Sequence, residues 1–171
     1  HGNNKSQEEL QDSLECGIGR IVVDSFYDLE LLDNLACQAG KRQDVLIRVS
    51  PSVDPHTHVY TTTGILDSKF GFPLETGQAE DAVKLALNSQ GLNLVGLHFH
   101  LGSPIFETEP YRVAMELILE FASRMRKQGF CLQEISPGGG FAIAYTKDDE
   151  PPSIEQYAQV IVSSMLDKCQ E

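Results

Sequence analysis

Apolar positions along the chain recur with two alternating periods. Ser6-Gln7-Glu8-Glu9 reads as a capping box, in which a serine hydroxyl and a glutamate carboxylate satisfy each other's backbone amides. It opens a short helix that should run to Cys16, with Gly17 as its stop. The β-branched run Ile21-Val22-Val23-Asp24 predicts a strand. Ser25 then caps a helix that carries Leu29, Leu32, Leu35 and Ala36 at helical spacing and ends at Gly40. Val45 to Val49 predicts the next strand, followed by an irregular stretch from Ser50 to Leu74. Loops of that length in a compact domain are usually functional or disordered. A helix over Thr76 to Ser89, a strand over Leu94 to Leu101 and a strongly amphipathic helix bearing Ala114, Leu117, Ile118, Phe121 and Met125 come next, with Gly129 as the stop. Leu132 to Ser136 predicts a strand closed by Pro137-Gly138-Gly139-Gly140, and Ser153 with Gln156 forms a second capping box at the start of the last helix.

Strands that alternate with helices of this length specify an α/β fold built from right-handed βαβ units around a parallel sheet. An open doubly wound sheet and a closed (β/α)8 barrel both satisfy the pattern. No GxGxxG or Walker-type loop follows a strand, which counts against a nucleotide-binding open sheet. Four strands and a remnant at the N-terminus amount to about half to two-thirds of a barrel. The opening HGNNKS, without Met, has the look of a strand end entering a helix and of a piece of a longer chain.

Composition narrows the partners. The 171 residues hold 13 Lys and Arg against 25 Asp and Glu, a net charge of −12, which argues against a nucleic-acid surface. No apolar run approaches a membrane span. Cys16, Cys37, Cys131 and Cys169 form no CxxC pair and read as buried or half-buried free thiols.

The candidate chemistry sits at strand ends. Alternation along Val95-Gly96-Leu97-His98-Phe99-His100-Leu101 puts Gly96, His98 and His100 on one face and Val95, Leu97, Phe99 and Leu101 on the other. The apolar face should meet helices, so the histidines face a barrel interior or cleft, with His100 nearest the C-terminal end where α/β folds bind ligands. Hydrogen-bonded core histidines are the alternative. Gly102-Ser103 places a bare backbone and a hydroxyl just past that tip, and Gly138-Gly139-Gly140 does the same one strand on. Bare backbone amides can approach an anion closely, and a phosphate is the natural guest of two such loops; a tight turn is the plain reading of the triplet alone. Arg48 lies in an apolar strand and needs a carboxylate, for which Asp24 is placed. A zinc site from His56, His58, His98 and His100 is disfavoured, since neither pair brings a supporting shell. Lys69, beside Phe70-Gly71, is placed to order the end of the long loop.

Seven segments, HGNNKS at 1–6, VVDS at 22–25, HTHVYTTTG at 56–64, DSKFGF at 67–72, GLHFHLGS at 96–103, PGGGFAIAY at 137–145 and DDEPPSIEQYA at 148–158, resemble the diaminopimelate decarboxylases in order and spacing. These are fold-type III decarboxylases dependent on pyridoxal 5'-phosphate. The resemblance implies an alanine racemase-like (β/α)8 barrel of which residues 1–171 supply about five βα units as a partial cofactor-binding domain. It also implies a cytoplasmic homodimer acting on a small amino acid, meso-2,6-diaminopimelate, to give L-lysine and CO2. His100 would stack on the cofactor ring, Ser103 would hydrogen-bond its phosphate, and Gly138, Gly139 and Gly140 would donate backbone N–H groups to it. Arg48 matches an arginine near the cofactor.

The resemblance further implies a Schiff-base lysine before residue 1, which Lys5 does not match, and a C-terminal β-domain after residue 171. The isolated segment is therefore expected to be inactive. Pro104 stands where the family has Gln, Phe141-Ala142 where it has Leu-Gly, and Pro137 where Leu is common. A sister decarboxylase for ornithine, arginine or carboxynorspermidine, a non-catalytic barrel that carries pyridoxal phosphate, and a phosphosugar-binding barrel remain the alternatives.

Overall fold

The computed structural model describes residues 1–53 and 69–169, the last of them by backbone only. In chain order the elements are α1 (Gln7–Glu15), β1 (Ile21–Val23), α2 (Phe26–Gln38), β2 (Gln43–Ser50), β3 (Phe72–Pro73), α3 (Gln78–Asn88), β4 (Leu92–His98), α4 (Glu109–Arg126), β5 (Glu134–Ser136) and α5 (Ile154–Cys169). The four main strands lie in the order β1-β2-β4-β5, every pairing parallel. Each is followed by a helix, which is the strand–helix alternation of a (β/α) barrel segment. Residues 1–6 form no strand, so among the described residues four strand–helix units stand with α1 ahead of them.

The caps behave as the sequence requires. The Ser6 hydroxyl accepts from the Glu9 amide at 3.2 Å while the Glu9 carboxylate accepts from the Ser6 amide at 2.7 Å. Ser153 and Gln156 exchange the same two bonds at the head of α5. Ser25 accepts from the Asp28 amide and starts α2. In the long loop the chain returns to the sheet, where Phe72 and Pro73 pair with Val49 and Ser50. That two-residue strand carries no periodic signal of its own.

The sheet has two differently built faces. On the helix side, Val45, Ile47, Leu94, Leu97 and Phe99 join one continuous apolar core with the inner faces of the helices. On the concave side the residues lie in layers. Arg20 donates to Glu134 and to Asp44, and Asn93 donates to Asp44, forming a polar floor at the N-terminal ends of the strands. Val22, Leu46 and Val95 make an apolar layer above it. Asp24, Arg48, His98 and Ser136 form the layer at the C-terminal ends.

Two expectations change here. Val95 does not share the helix-side face with Leu97 and Phe99. Val45 pairs with Leu94 but Leu46 pairs with Gly96, so Val95 is the extra residue of a β-bulge and turns inward. Gly96 is required at the bulge, since a Cβ there would overlap the Glu134 carbonyl oxygen. The cysteines also differ. Cys16, Cys37 and Cys131 are free but exposed, because each sits at or beyond a helix end or on a helix's outer surface; the side chain of Cys169 lies outside the described residues.

Candidate active site at the strand C-termini

A cavity of about 850 Å³ opens at the C-terminal ends of the strands, walled among others by Arg48, Phe70, His98, His100, Ser136 and Gly139. Parity places its floor. Arg48 and His98 are register partners across β2 and β4, and His98 and Ser136 across β4 and β5, so three strands deliver three polar side chains at one level.

Arg48 is held from below and above. Its guanidinium meets the Asp24 carboxylate at 2.8 Å, and both side chains are nearly buried, as expected for an arginine set in an apolar strand. The Phe70 ring lies against the guanidinium, 4.7 Å from its centroid. Asp24 also accepts from the Gly71 amide at 3.0 Å, which ties the end of the long loop to the site. Gly71 is a position where only glycine serves: its φ is +71° and a Cβ would lie 2.8 Å from the Arg48 carbonyl oxygen. Behind this pair, the Asp24 amide donates to Asp28, which is itself bridged by Lys5 at 2.6 Å. Lys5 thus braces the floor through Asp28. Lys69 is exposed and lies over the Phe70 ring, on the outer side of the same corner.

The two histidines have different environments. His98 is 2% exposed, its Nδ1 sits 2.9 Å from the Ser136 hydroxyl, and its ring stacks on His1. Burial, and then the nearby Arg48 and His100, push its pKa down to about 4, so it is neutral at physiological pH. His100 is exposed at the rim, and its Nδ1 accepts from the Gly139 amide at 3.3 Å. Partial burial and then Arg48 hold its pKa below the usual histidine range. An Nδ1 that accepts carries no proton, so any ring proton of neutral His100 is on Nε2.

The glycine triplet divides into three roles. Gly138 has φ +71° and a Cβ would lie 2.6 Å from the Phe99 carbonyl oxygen. Gly140 has φ +94° and a Cβ would overlap the Gly102 carbonyl oxygen, because the two rim loops touch there. Ile105 donates to the Gly140 carbonyl at 2.8 Å and seals that contact. Gly139 is different: its φ lies outside the left-handed region and a Cβ would meet nothing within 4 Å. Neither turn geometry nor packing calls for glycine at that position, and the space in front of its backbone is open.

The structure brings together Arg48, His100, Gly138 and Gly139 as walls of one cavity. Ser103 and Gly140 are not among those walls. Ser103 is exposed next to the wall residue Gly102, and Gly140 lies against Gly102 from the neighbouring loop. His56 and His58 lie outside the described residues. Among the described residues, no group of three or more His, Cys, Asp or Glu is placed to hold a metal ion, and no helix is long and apolar enough to cross a membrane.

Three contributors escape a reading by motif. Ser136 is found by parity, two residues before Gly138 on the inward face of β5. Phe70 lies in the DSKFGF segment, but nothing there points to Arg48, and Tyr111 carries no local signal. Tyr111, from α4, is fully buried; its hydroxyl donates to the Gly139 carbonyl at 2.8 Å, and burial pushes its pKa up to about 12. It packs with Phe141 and Tyr157 behind the triplet, and Tyr157 in turn donates to the Ile105 carbonyl at 2.6 Å.

Comparison with known proteins matches nearly the whole chain to one family. Residues 1–171 match the family model "Pyridoxal-dependent decarboxylase, pyridoxal binding domain". The diaminopimelate decarboxylase of Bacillus subtilis (strain 168) is 46% identical over 166 residues, covering 96% of this chain and 38% of that protein. The Bacillus methanolicus enzyme of the same name is 42% identical, with 96% and 38% covered. The crystal structure of diaminopimelate decarboxylase from M. jannaschii in co-complex with L-lysine superposes with a TM-score of 0.90 at 32% identity, covering 99% of this chain and 39% of that one. The chain therefore spans about two-fifths of the length of these relatives.

Proposed function

The chain belongs to the pyridoxal-dependent decarboxylases, as part of their pyridoxal-binding barrel, and from that premise we propose that the protein is a diaminopimelate decarboxylase, converting meso-2,6-diaminopimelate to L-lysine and CO2. The observation that carries this reading is Gly139. It is a glycine that the fold does not need, on a cavity wall, with open space before its backbone. A phosphorylated aromatic ring fits such a wall: the bare backbone lets an anion approach, and the His100 ring stands beside it.

Bound pyridoxal phosphate supplies an electron-accepting ring for the electrons released as the substrate carboxylate leaves. The chain's own residues bind and orient. His100, with Nδ1 engaged by Gly139, presents its ring as a stacking face. The Gly138–Gly140 turn and the neighbouring Ser103 are the phosphate contacts. Arg48, fixed by Asp24 and Phe70, holds a positive charge at the floor. His98 stays neutral beside Ser136, so the floor carries one cation rather than two. The residue that bonds the cofactor covalently and the substrate-binding C-terminal domain lie, in this reading, outside residues 1–171. The active protein is a homodimer in the cytoplasm.

The test is made on the full-length protein. Titration with pyridoxal phosphate should reach one equivalent per chain, and the loaded protein should release CO2 from meso-diaminopimelate with L-lysine as product. Release from ornithine or arginine in preference would move it to a sister decarboxylase. Cofactor uptake without CO2 from any of the three would make it a carrier. Failure to take up the cofactor would end the reading.

A further inference from the structure

Both backbone polar groups of Gly139 have partners within the protein, and the pattern says which neighbouring amides are left for a ligand. The Gly139 N–H donates to His100 Nδ1 at 3.3 Å. The Gly139 carbonyl accepts from the Tyr111 hydroxyl at 2.8 Å, and the Gly140 carbonyl accepts from the Ile105 amide at 2.8 Å. In a trans peptide the C=O and the following N–H point in opposite directions. The Gly139 carbonyl, drawn to the Tyr111 hydroxyl, therefore turns the Gly140 N–H away from α4, and the Gly140 carbonyl, drawn to the Ile105 amide, turns the Phe141 N–H away from Ile105. Gly139 itself is not a free donor.

We propose that Tyr111 is a positioning residue for the phosphate site, its hydroxyl anchoring the Gly139 carbonyl so that the Gly140 N–H is held toward the bound phosphate and the Gly139 N–H toward His100. Tyr111 touches neither cofactor nor substrate. It acts from behind the wall, where it is fully buried between α4, Phe141 and Tyr157, and a ring so packed cannot swing its hydroxyl away. One hydrogen bond thus sets a donor for the phosphate and, through Gly139, the tautomer of the histidine at the rim. The inference rests on reading the cavity as a pyridoxal phosphate site.

The experiment compares pyridoxal phosphate with pyridoxal, which lacks the phosphate, on full-length wild type, Tyr111→Phe and the packing control Phe141→Leu. Tyr111→Phe should weaken pyridoxal phosphate binding about tenfold and change pyridoxal binding less than twofold. Phe141→Leu should lower the melting temperature and leave the ratio of the two affinities unchanged. In wild type, hydrogen exchange of the peptide containing Gly140 and Phe141 should slow with pyridoxal phosphate and not with pyridoxal, a readout that does not depend on either variant folding. Equal weakening of both ligands in Tyr111→Phe, unchanged binding of both, or no phosphate-dependent protection at Gly140 would overturn the assignment of Tyr111. If wild type binds neither ligand, the reading of the cavity fails instead.

Discussion

The triplet offers a separation of folding from binding within two adjacent glycines. Gly139→Ala adds a methyl group where nothing lies within 4 Å, at a backbone angle outside the left-handed region. The folded state accepts it without a clash, and the unfolded chain loses freedom, so stability should stay level or rise by about 0.4–1 kcal/mol. Gly140→Ala places the same methyl group at φ +94° and into the Gly102 carbonyl oxygen. Left-handed strain of about 1–3 kcal/mol and the forced separation of the two rim loops should together lower stability by more than about 2 kcal/mol. Binding at Gly139 should not follow stability. A methyl group in front of the Gly139 backbone keeps a phosphate from its charge-assisted hydrogen bonds, each of about 1.5–3 kcal/mol, which is a loss of about 10- to 150-fold in affinity. Urea denaturation of the full-length apoprotein reads the first quantity and titration with pyridoxal phosphate the second. Wild-type affinity in Gly139→Ala, or a loss of stability there as large as in Gly140→Ala, would show that the open space before Gly139 is not the ligand's.

Three further changes test the surrounding structure. Asp24→Ala leaves Arg48 nearly buried without its carboxylate and frees the Gly71 amide; stability should fall by about 3–5 kcal/mol, and a fall under 1 kcal/mol by denaturant titration would mean the pair contributes little. His98, free near pH 6.5 in the unfolded chain and held at about 4 when folded, is protonated by the unfolded chain alone between those values. Its contribution is fully present above pH 6.5 and is lost as pH falls toward 4, to a total of about 3 kcal/mol; NMR titration placing the His98 ring near 6.5 would contradict this. Gly96→Ala drives a methyl group into the Glu134 carbonyl at the bulge and should destabilise by about 1–3 kcal/mol or prevent folding, with a wild-type thermal melt as the contrary result.

Local chemistry explains what was legible in advance. Capping boxes at Ser6 and Ser153 and the helical spacing of Leu29, Leu32 and Ala36 are short-range features, and the helices stand where these place them. Strand parity put His98, His100 and Arg48 at one end of one sheet, and the Asp24 partner of Arg48 followed from the need of a buried cation. Parity failed at Val95, since a bulge between β2 and β4 is a property of two strands in register and not of either alone. The exposure of Cys16, Cys37 and Cys131 likewise depended on how helices lie against the sheet.

The sequence by itself determined the α/β alternation, the helix ends and the family, because each of these is written in contacts a few residues apart or in motifs read in order. Tertiary structure alone decided that Gly139 faces open space while Gly138 and Gly140 do not, that Ser103 sits beside the cavity wall rather than on it, and that Tyr111 reaches Gly139 from 28 residues away. Those outcomes depend on where two chain segments meet, and the meeting is set by the packing of helices and loops against the whole sheet, which no residue's immediate neighbours record.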